Sequence, residues 1–172
     1  MKFISLTQGK FSLVDDEDYD WLTQRKWFAM QLKYSKDRPF IALSWDGKGK
    51  HVLMHRVIVD AQEGMVVDHI NHVMLDNRRC NLRVCTHSQN SMNKCRQSNN
   101  TSGFTGVTWH HGVWEARIMV SRKSIYLGSA HSPEEASLLY KQGVVKYFGQ
   151  FAYQEDLRGS DLSWTTNWPV TD

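Results

Sequence analysis

A polar segment slightly past the middle of the chain constrains the fold more than any other feature. Residues 96–100 read Arg-Gln-Ser-Asn-Asn and contain no apolar side chain, a composition typical of a linker. The chain on either side therefore has to bury its own apolar residues, and each part is small for a domain. Seven Trp, seven Phe and six Tyr supply large apolar side chains for the two cores.

The first fifty residues are predicted to be rich in strands, because short runs of apolar and aromatic residues alternate with polar breaks. Gly47-Lys48-Gly49 predicts a hairpin turn between two of these runs. Residues 16–23 predict a short helix with Tyr19 and Leu22 packed inward. The predicted strands cover residues 3–6, 11–14, 27–32, 40–45 and 51–54.

Metal-binding and proton-transfer chemistry is concentrated between residues 54 and 93. Asp68 and Asn90 each offer a hard oxygen, and a divalent ion held by two oxygens and several waters keeps open positions for a phosphate oxygen. His69 offers an imidazole whose ordinary pKa lies near neutral pH, so it could take a proton from an attacking water. On an extended segment Asp68 and His69 point to different sides, which lets them divide this work.

Residues 52–95 resemble the HNH, or ββα-metal, endonucleases, in the variant that has asparagine in place of the last histidine. The resemblance implies that Asp68 is the first metal ligand, His69 the general base and Asn90 the second metal ligand. It implies that Asn81 buttresses the loop. Because Asn90 offers oxygen rather than imidazole, one Mg²⁺ ion is the expected cofactor, with Mn²⁺ as the alternative and zinc disfavoured.

The preceding Met54-His55-Arg56 leaves two interpretations open. His55 and Arg56 could bind a phosphate group, or they could lie at the end of a strand beside a buried apolar run at residues 57–59. The four residues named above do not depend on this choice.

A second module is predicted after the polar segment, with three short strands followed by one helix. The two breaks between the strands are short enough for hairpins. Ser132-Pro133-Glu134-Glu135 supplies an N-cap, a proline at the first helical position and a glutamate three residues after the cap. Apolar residues at three- and four-residue steps then continue to Phe148, and Gly149 ends the helix. The predicted strands cover residues 104–109, 113–120 and 124–128.

Residues 102–152 resemble the Apetala-type ethylene-response-factor DNA-binding domain. The sequence motifs on which this resemblance rests are Ser-Gly-Phe-Thr-Gly-Val at residues 102–107, Trp-Glu-Ala-Arg-Ile at 114–118 and Tyr-Leu-Gly at 126–128. In that family the outer face of the sheet lies in the major groove. The resemblance therefore implies DNA contacts on that face, and the implied positions are Thr105, Thr108, His110, Arg117, Met119, Ser124 and Tyr126.

Strand alternation gives the same orientation independently of the resemblance. Ala116 and Ile118 share one face of the second strand, so Arg117 points away from the helix. An arginine there could read a guanine edge, whereas Arg122 and Lys123 at the hairpin tip would more naturally contact phosphate. The alternative is a solvated sheet face.

Charge is distributed unevenly along the chain, although the formal net charge is only +3. Between residues 78 and 123 there are eight Lys or Arg and a single carboxylate, Glu115, whereas residues 15–20 and the tail from residue 153 are acidic. A basic stretch of this kind favours double-stranded DNA as the partner, with an affinity that falls steeply with salt.

Cysteine usage and hydropathy exclude other classes of protein. Cys80, Cys85 and Cys95 are odd in number and form no C-x-x-C pair, which argues against a disulfide framework and a four-cysteine zinc site. No long apolar segment and no signal-like N-terminus occurs. We therefore expect no membrane partner and a cytoplasmic location, in a bacterium or a phage-infected host cell.

The predicted fold class is α+β. A β-rich N-terminal region leads into a ββα-metal core (residues 1–95), a linker follows at 96–101, and a three-stranded antiparallel sheet packs on one helix at 102–152. Residues 153–172 form a tail. The predicted function is a metal-dependent DNA endonuclease of homing type, phage- or intron-associated, acting as a monomer or homodimer without another protein partner. The alternatives are a DNA-binding regulator with a decayed nuclease fold and, as a third choice, an enzyme that cuts RNA.

Overall fold

The computed structural model describes residues 1–32, 39–96 and 99–153. Two linker residues and, apart from Tyr153, the predicted tail lie outside the described residues. The chain divides into two compact units, Met1–Ser91 and Met92–Asp172, here called the N-terminal and the C-terminal unit. In the described residues the N-terminal unit has three small antiparallel sheets and the C-terminal unit has one, each unit with few helices, which confirms the predicted α+β class.

The N-terminal unit begins with five short strands and one helix, close to the predicted positions. The first two strands pair as an antiparallel hairpin, and the next three form a second antiparallel sheet in chain order. Asp46 closes the predicted hairpin turn, because its carboxylate accepts the backbone N–H of Lys48 at 2.7 Å and of Lys50 at 3.0 Å. The elements are β1 (Lys2–Ser5), β2 (Phe11–Val14), α1 (Asp16–Leu22), β3 (Phe28–Gln31), β4 (Phe40–Trp45) and β5 (His51–Leu53).

A helix–strand–strand–helix segment completes the N-terminal unit. Its two strands pair antiparallel, and the second helix packs against both of them. Thr86 caps that helix, since its hydroxyl accepts the N–H of Gln89 while the Gln89 side chain accepts the N–H of Thr86. The elements are α2 (Met54–Ile58), β6 (Val66–His69), β7 (Leu82–Cys85) and α3 (His87–Asn90).

Helix α2 corrects one expectation, the strand end at His55 and Arg56. Met54 and Ile58 are both buried, and their four-residue separation is the spacing of one helical turn. Val57 was expected to be buried but is 37% exposed, because it lies on another side of the turn.

One apolar core joins the whole N-terminal unit. It takes side chains from the β1–β2 hairpin, from α1, from the β3–β5 sheet, from α2 and from β7. Elements β1, β2, α1, β3 and β4 are therefore built into the same core as the helix and strand on either side of Asp68 and His69, α2 and β7. The buried members are Ile4, Leu6, Val14, Leu22, Trp27, Ala29, Ala42, Met54, Ile58 and Leu82.

The C-terminal unit is a three-stranded antiparallel sheet with one helix, as predicted. The strand order is β10-β9-β8, with β8 (Val107–His110), β9 (Val113–Val120) and β10 (Lys123–Ala130), and the helix is α4 (Pro133–Phe148). Ser132 caps α4 by accepting the N–H of Glu135 at 3.2 Å, and Gly149 ends it at a φ of 51°. Ala116, Ile118, Tyr140, Val144 and Ala152 form its core.

The first strand of this unit starts three residues later than predicted. Asn100 holds residues 100–104 in a turn, because its side chain accepts the N–H of Gly103 at 2.8 Å and donates to the carbonyl of Phe104 at 2.9 Å. Gly106 then approaches Tyr140 so closely that a Cβ atom would lie 2.1 Å from the ring. Among the described residues no helix has both the length and the apolarity that crossing a bilayer requires.

Candidate active site and candidate nucleic-acid interface

Asp68 and His69 occupy the end of β6 and are almost completely buried, at 6% and 2% exposure. In the antiparallel register Asp68 lies opposite Arg83 and His69 opposite Leu82. Oδ2 of Asp68 accepts hydrogen bonds from Nε of Arg83 at 2.8 Å and from Nη2 of the same arginine at 2.6 Å. This two-pronged ion pair compensates the burial of the carboxylate and fixes its orientation. The sequence does not reveal it, because it depends on the β6–β7 register.

His69 has two neighbours that sequence reasoning did not connect with it. Its Nε2 lies 3.1 Å from Oδ1 of Asn77, and its ring centroid lies 5.2 Å from that of His55 in an edge-on arrangement. Burial lowers the pKa of His69, against the opposing effects of the Asn77 hydrogen bond and the nearby carboxylates. Burial, followed by the charges on His69 and Arg56, lowers the pKa of His55 to about 4. Both imidazoles are therefore neutral at pH 7.

Asn81 fastens the loop between β6 and β7 at both ends. Its Nδ2 donates to the carbonyl of Asp76 at 2.8 Å, its Oδ1 accepts the N–H of Asn71 at 2.9 Å, and its own carbonyl accepts the N–H of Ile70 at 2.9 Å. The side chain is 5% exposed. These bonds hold the loop that follows His69 in one conformation.

The β1–β2 hairpin lies against the same loop. Leu13 donates its N–H to the carbonyl of Leu75 at 2.8 Å and accepts the N–H of Asn77 at 2.8 Å. Ser12 accepts Nδ2 of Asn77 at 2.7 Å. Because Ser12 and Asn77 are 65 residues apart, no local pattern in the sequence predicts their contact.

Three arginines of the predicted basic stretch form ion pairs within the N-terminal unit. Helix α1 supplies one acidic partner, and strand β6 and its loop supply the others. Fewer positive charges are therefore available to phosphate than the residue count predicted. The pairs are Arg78–Asp76 at 2.7 Å, Arg79–Asp18 at 2.7 Å and Arg83–Asp68 at 2.6 Å.

Arg56 is also engaged by the protein itself. Its guanidinium donates to the carbonyls of Met65 at 2.7 Å, Gln62 at 3.0 Å and Ala61 at 3.1 Å. These bonds hold the connection between α2 and β6. Arg56 therefore lies in a helix rather than at a strand end. Its guanidinium is hydrogen-bonded within the protein rather than available to a phosphate group.

Asn90, the last residue of α3, is half-buried, and its helix packs against β6. Among the described residues no group of three or more His, Cys, Asp or Glu is arranged to hold a metal ion. The predicted ligands, the Asp68 carboxylate and the Asn90 amide, would both offer oxygen donors. An all-oxygen pair suits Mg²⁺, which retains several waters when it binds proteins.

The C-terminal unit presents an exposed face of its sheet, opposite the side covered by α4. In the register Tyr126 lies opposite Arg117, Ser124 opposite Met119, and Thr108 opposite Glu115. Met119 is 60% exposed and Tyr126 is 50% exposed. Of the nine residues predicted to contact DNA, six share this face: Thr108, His110, Arg117, Met119, Ser124 and Tyr126.

The other three predicted contacts lie elsewhere. Arg122 and Lys123 are exposed at the β9–β10 turn, where Ser121 and Arg122 have positive φ angles of 48° and 65°, as in a type I′ hairpin. Thr105 precedes β8 and lines a cleft with Ser137 and Tyr140 of α4. The structure therefore does not group Thr105 with the exposed face.

Glu115 shares this face with Arg117 and Met119, although it is not among the predicted DNA contacts. Its carboxylate accepts Nε of Arg117 at 2.9 Å and lies 3.3 Å from Nδ1 of His110. The Arg117 hydrogen bond is the main reason that the pKa of Glu115 is lowered. The Arg117 guanidinium also lies 5.3 Å from the centroid of the Tyr126 ring, within cation–π range. Glu115 and Tyr126 together therefore hold the Arg117 side chain in one orientation.

Comparison with known proteins agrees with the chemistry of the N-terminal unit. Residues 52–92 match the family model described as HNH endonuclease. A protein of Acanthamoeba polyphaga mimivirus, named as an uncharacterized HNH endonuclease, is 26% identical over 149 residues, which cover 84% of this chain and 74% of the relative. Such a match runs into both units, because the larger one holds 91 residues. No solved structure matches the chain significantly. Residues 52–92, which carry Asp68, His69, Asn81 and Asn90, are therefore similar to the HNH endonucleases.

Proposed function

We propose that this protein is a metal-dependent DNA endonuclease of homing type, as phage- or intron-associated enzymes are. The observation that carries the proposal is the buried Asp68–His69 pair at the end of β6, with α3 and its terminal Asn90 packed on that strand. It lies inside the segment that matches the HNH endonucleases. A decayed nuclease would not be expected to retain all four predicted catalytic and metal-binding residues.

His69 is the proposed general base. It is neutral at pH 7 because burial lowers its pKa, so it can accept the proton of a water molecule that attacks phosphorus. The reaction breaks the bond to the 3′ oxygen and leaves a 5′-phosphate and a 3′-hydroxyl, as the resemblance implies. Asn81 keeps the loop after His69 in place and so supports the base.

Asp68 and Asn90 are the proposed ligands of one divalent cation, Mg²⁺ by preference or Mn²⁺. When bound, such an ion neutralises charge on the phosphate and on the departing oxygen. Arg83 holds Oδ2 of Asp68, which sets the direction in which the carboxylate presents its remaining lone pairs. The protein therefore supplies two oriented oxygen donors, and water completes the coordination.

The exposed face of the C-terminal unit is the proposed binding surface for double-stranded DNA. Arg117, held by Glu115 and Tyr126, is the proposed reader of a guanine edge in the major groove, and Arg122 and Lys123 are the proposed phosphate contacts. The predicted Apetala-type domain, residues 102–152, has this sheet-and-helix arrangement. Binding by this unit would add site selection to cleavage by the other.

One active site cuts one strand in each encounter. A monomer of this protein is therefore expected to nick DNA, and a double-strand break requires a second protomer or a second encounter. We propose that it acts in the cytoplasm of a bacterium or phage-infected cell, as a monomer or homodimer and without another protein partner.

Incubation of supercoiled plasmid and phage DNA with the purified protein tests the proposal. We expect relaxed and linear products with Mg²⁺ or Mn²⁺, and none with EDTA or with His69→Ala. His87→Ala is the matched control, because His87 is an exposed histidine on α3 and should leave cleavage unchanged. Wild type that binds DNA but leaves it intact with every ion would overturn the nuclease assignment in favour of a regulator.

A further inference from the structure

A buried chain of hydrogen bonds runs from His69 to the N-terminal hairpin. Nε2 of His69 lies 3.1 Å from Oδ1 of Asn77, and Nδ2 of Asn77 donates to Oγ of Ser12 at 2.7 Å. The Ser12 hydroxyl in turn lies 3.2 Å from both the carbonyl oxygen of Leu75 and Sδ of Met54. Ser12 and Asn77 are 0% exposed, so bulk water cannot replace these partners.

The direction of each hydrogen bond in this series follows from the two acceptors at its far end, on Leu75 and Met54. A carbonyl oxygen and a thioether sulfur can only accept, so the single proton of the Ser12 hydroxyl is donated to Leu75 or Met54. Ser12 must then accept from Asn77, which places the Asn77 NH₂ group towards Ser12 and Oδ1 towards His69. Because an amide oxygen cannot donate, Nε2 of His69 must carry the proton of that bond.

The tautomer of His69 follows directly. A neutral imidazole has one protonated and one unprotonated nitrogen, so a proton on Nε2 leaves the basic lone pair on Nδ1. We infer that Asn77 and Ser12 are positioning residues that hold His69 in the Nε2–H tautomer and thereby select Nδ1 as the atom that removes the proton from water. The role of Nδ1 rests on the proposed nuclease function, whereas the tautomer itself does not.

This inference makes the β1–β2 hairpin part of the active site. Ser12 lies far outside residues 52–92, the segment that matches the HNH endonucleases. Two backbone hydrogen bonds of Leu13, to Leu75 and to Asn77, hold the hairpin against the loop on both sides of Asp76. A segment outside the residues that match the HNH endonucleases therefore determines the orientation of the proposed general base.

Imidazole ¹⁵N NMR of the full-length, metal-free protein tests the tautomer without any cleavage assay. Long-range ¹H–¹⁵N correlations distinguish a protonated from an unprotonated ring nitrogen, and the His69 signals are identified by their loss in His69→Gln. We expect protonated Nε2 and unprotonated Nδ1 in the neutral wild-type ring. The opposite pattern, or an even mixture, overturns the inference, and this result requires no variant of the hydrogen-bonded chain.

Variants then test the two positioning residues. Asn77→Asp keeps an acceptor for Nε2 and should preserve the tautomer, whereas Asn77→Leu removes the acceptor and should give a mixture. Ser12→Ala removes only the hydroxyl that orients Asn77 and should also give a mixture, while Ser5→Ala, an exposed serine on β1, is the matched control. An unmixed Nε2–H signal in both Ser12→Ala and Asn77→Leu would show that the two residues do not select the tautomer.

Single-turnover cleavage separates this inference from the proposed function. Ser12→Ala and Asn77→Leu should lower the maximal single-turnover rate about tenfold to a hundredfold with little change in the half-saturating concentration, because the base is misdirected while DNA binding is untouched. Asn77→Asp should restore much of the loss. If His69→Ala cleaves like wild type, the proposed nuclease mechanism fails. If His69→Ala is inactive but the wild-type ring is protonated on Nδ1, the nuclease stands and this inference fails.

Discussion

The two units carry their proposed functional side chains in opposite surroundings. In the N-terminal unit Asp68 and His69 are 6% and 2% exposed, and their hydrogen bonds lead deep into the protein. In the C-terminal unit Met119 and Tyr126 are 60% and 50% exposed on an open sheet face. A reactive centre needs groups fixed in a dry environment, whereas a surface that enters a groove needs accessible ones. We therefore expect substitutions at the site in the N-terminal unit to lower the cleavage rate. Substitutions on the sheet face of the C-terminal unit should lower the affinity for DNA.

Removal of the Asp68 charge should lower the cleavage rate more than any other change considered below. Asp68→Asn keeps the shape of the side chain but weakens the proposed metal site, so the cleavage rate at fixed Mg²⁺ should fall at least about a hundredfold. Asp46→Asn, in the exposed β4–β5 turn, is the matched control and should cleave normally. A metal titration of the single-turnover rate provides the measurement. Equal metal dependence in wild type and Asp68→Asn would contradict the assigned ligand.

Acidic pH should destabilise the N-terminal unit through His55. Its pKa is about 4 in the folded protein and near 6.5 when unfolded, so only the unfolded chain gains a proton as the pH falls between these values. Stability is therefore lost progressively from pH 6.5 towards 4. The expected loss is about 2 kcal/mol, discounted because the ring is partly exposed. His69 contributes in the same direction.

Urea unfolding at pH 7 and pH 4.5, in EDTA, checks this prediction. His55→Gln has no ring to protonate and should lose less stability between the two pH values than wild type does. His131→Gln is the control, because His131 is exposed. An identical pH dependence in His55→Gln and wild type would show that His55 is not buried as described.

Arg117→Ala should act on affinity alone. Loss of one oriented arginine contact is expected to weaken specific DNA binding about tenfold or more, while the cleavage rate at saturating DNA remains unchanged. Arg117→Lys should not restore specificity, because lysine cannot donate the same pair of hydrogen bonds. Anisotropy titrations on target and random DNA give the numbers. An Arg117→Ala variant with unaltered affinity for both would leave the sheet face as a solvated surface.

The smallest effect is expected at the β9–β10 turn. Replacing Arg122 and Lys123 together with glutamine should lower affinity similarly for every sequence and reduce the slope of log affinity against log salt by about 2. Binding titrations at several salt concentrations measure that slope. A change confined to one DNA sequence would mean that the turn reads bases rather than phosphate.

Local patterns were sufficient to predict most elements of the fold. The β4–β5 hairpin, the N-cap at Ser132 and the end of α4 at Gly149 depend on nearby residues, and they occur where the sequence indicates them. Helix α2 was missed because its five residues contain only one helical repeat, Met54 and Ile58. The later start of β8 depends on side-chain hydrogen bonds of Asn100, which no hydrophobic alternation reports.

The site was only partly predictable, for a related reason. Asp68, His69, Asn81 and Asn90 are close in sequence and form a recognisable pattern. Their partners are set by strand register and tertiary packing, as in the Asp68–Arg83 pair and the contact of Asn77 with Ser12. Charge counting likewise overestimated the basic surface, because it could not show which arginines form ion pairs within the protein, as Arg79 does with Asp18. The sequence therefore indicates candidate reactive groups but not the contacts that orient them.

The division of labour between the units is tested most directly by measuring rate and affinity together for His69→Ala. We expect its single-turnover cleavage rate in Mg²⁺ to fall about a hundredfold or more while its Kd for DNA stays within about twofold of wild type. Arg117→Ala should show the reverse in the same assay. A His69→Ala variant that cleaves at nearly the wild-type rate, or that loses rate only in proportion to lost affinity, would contradict the account.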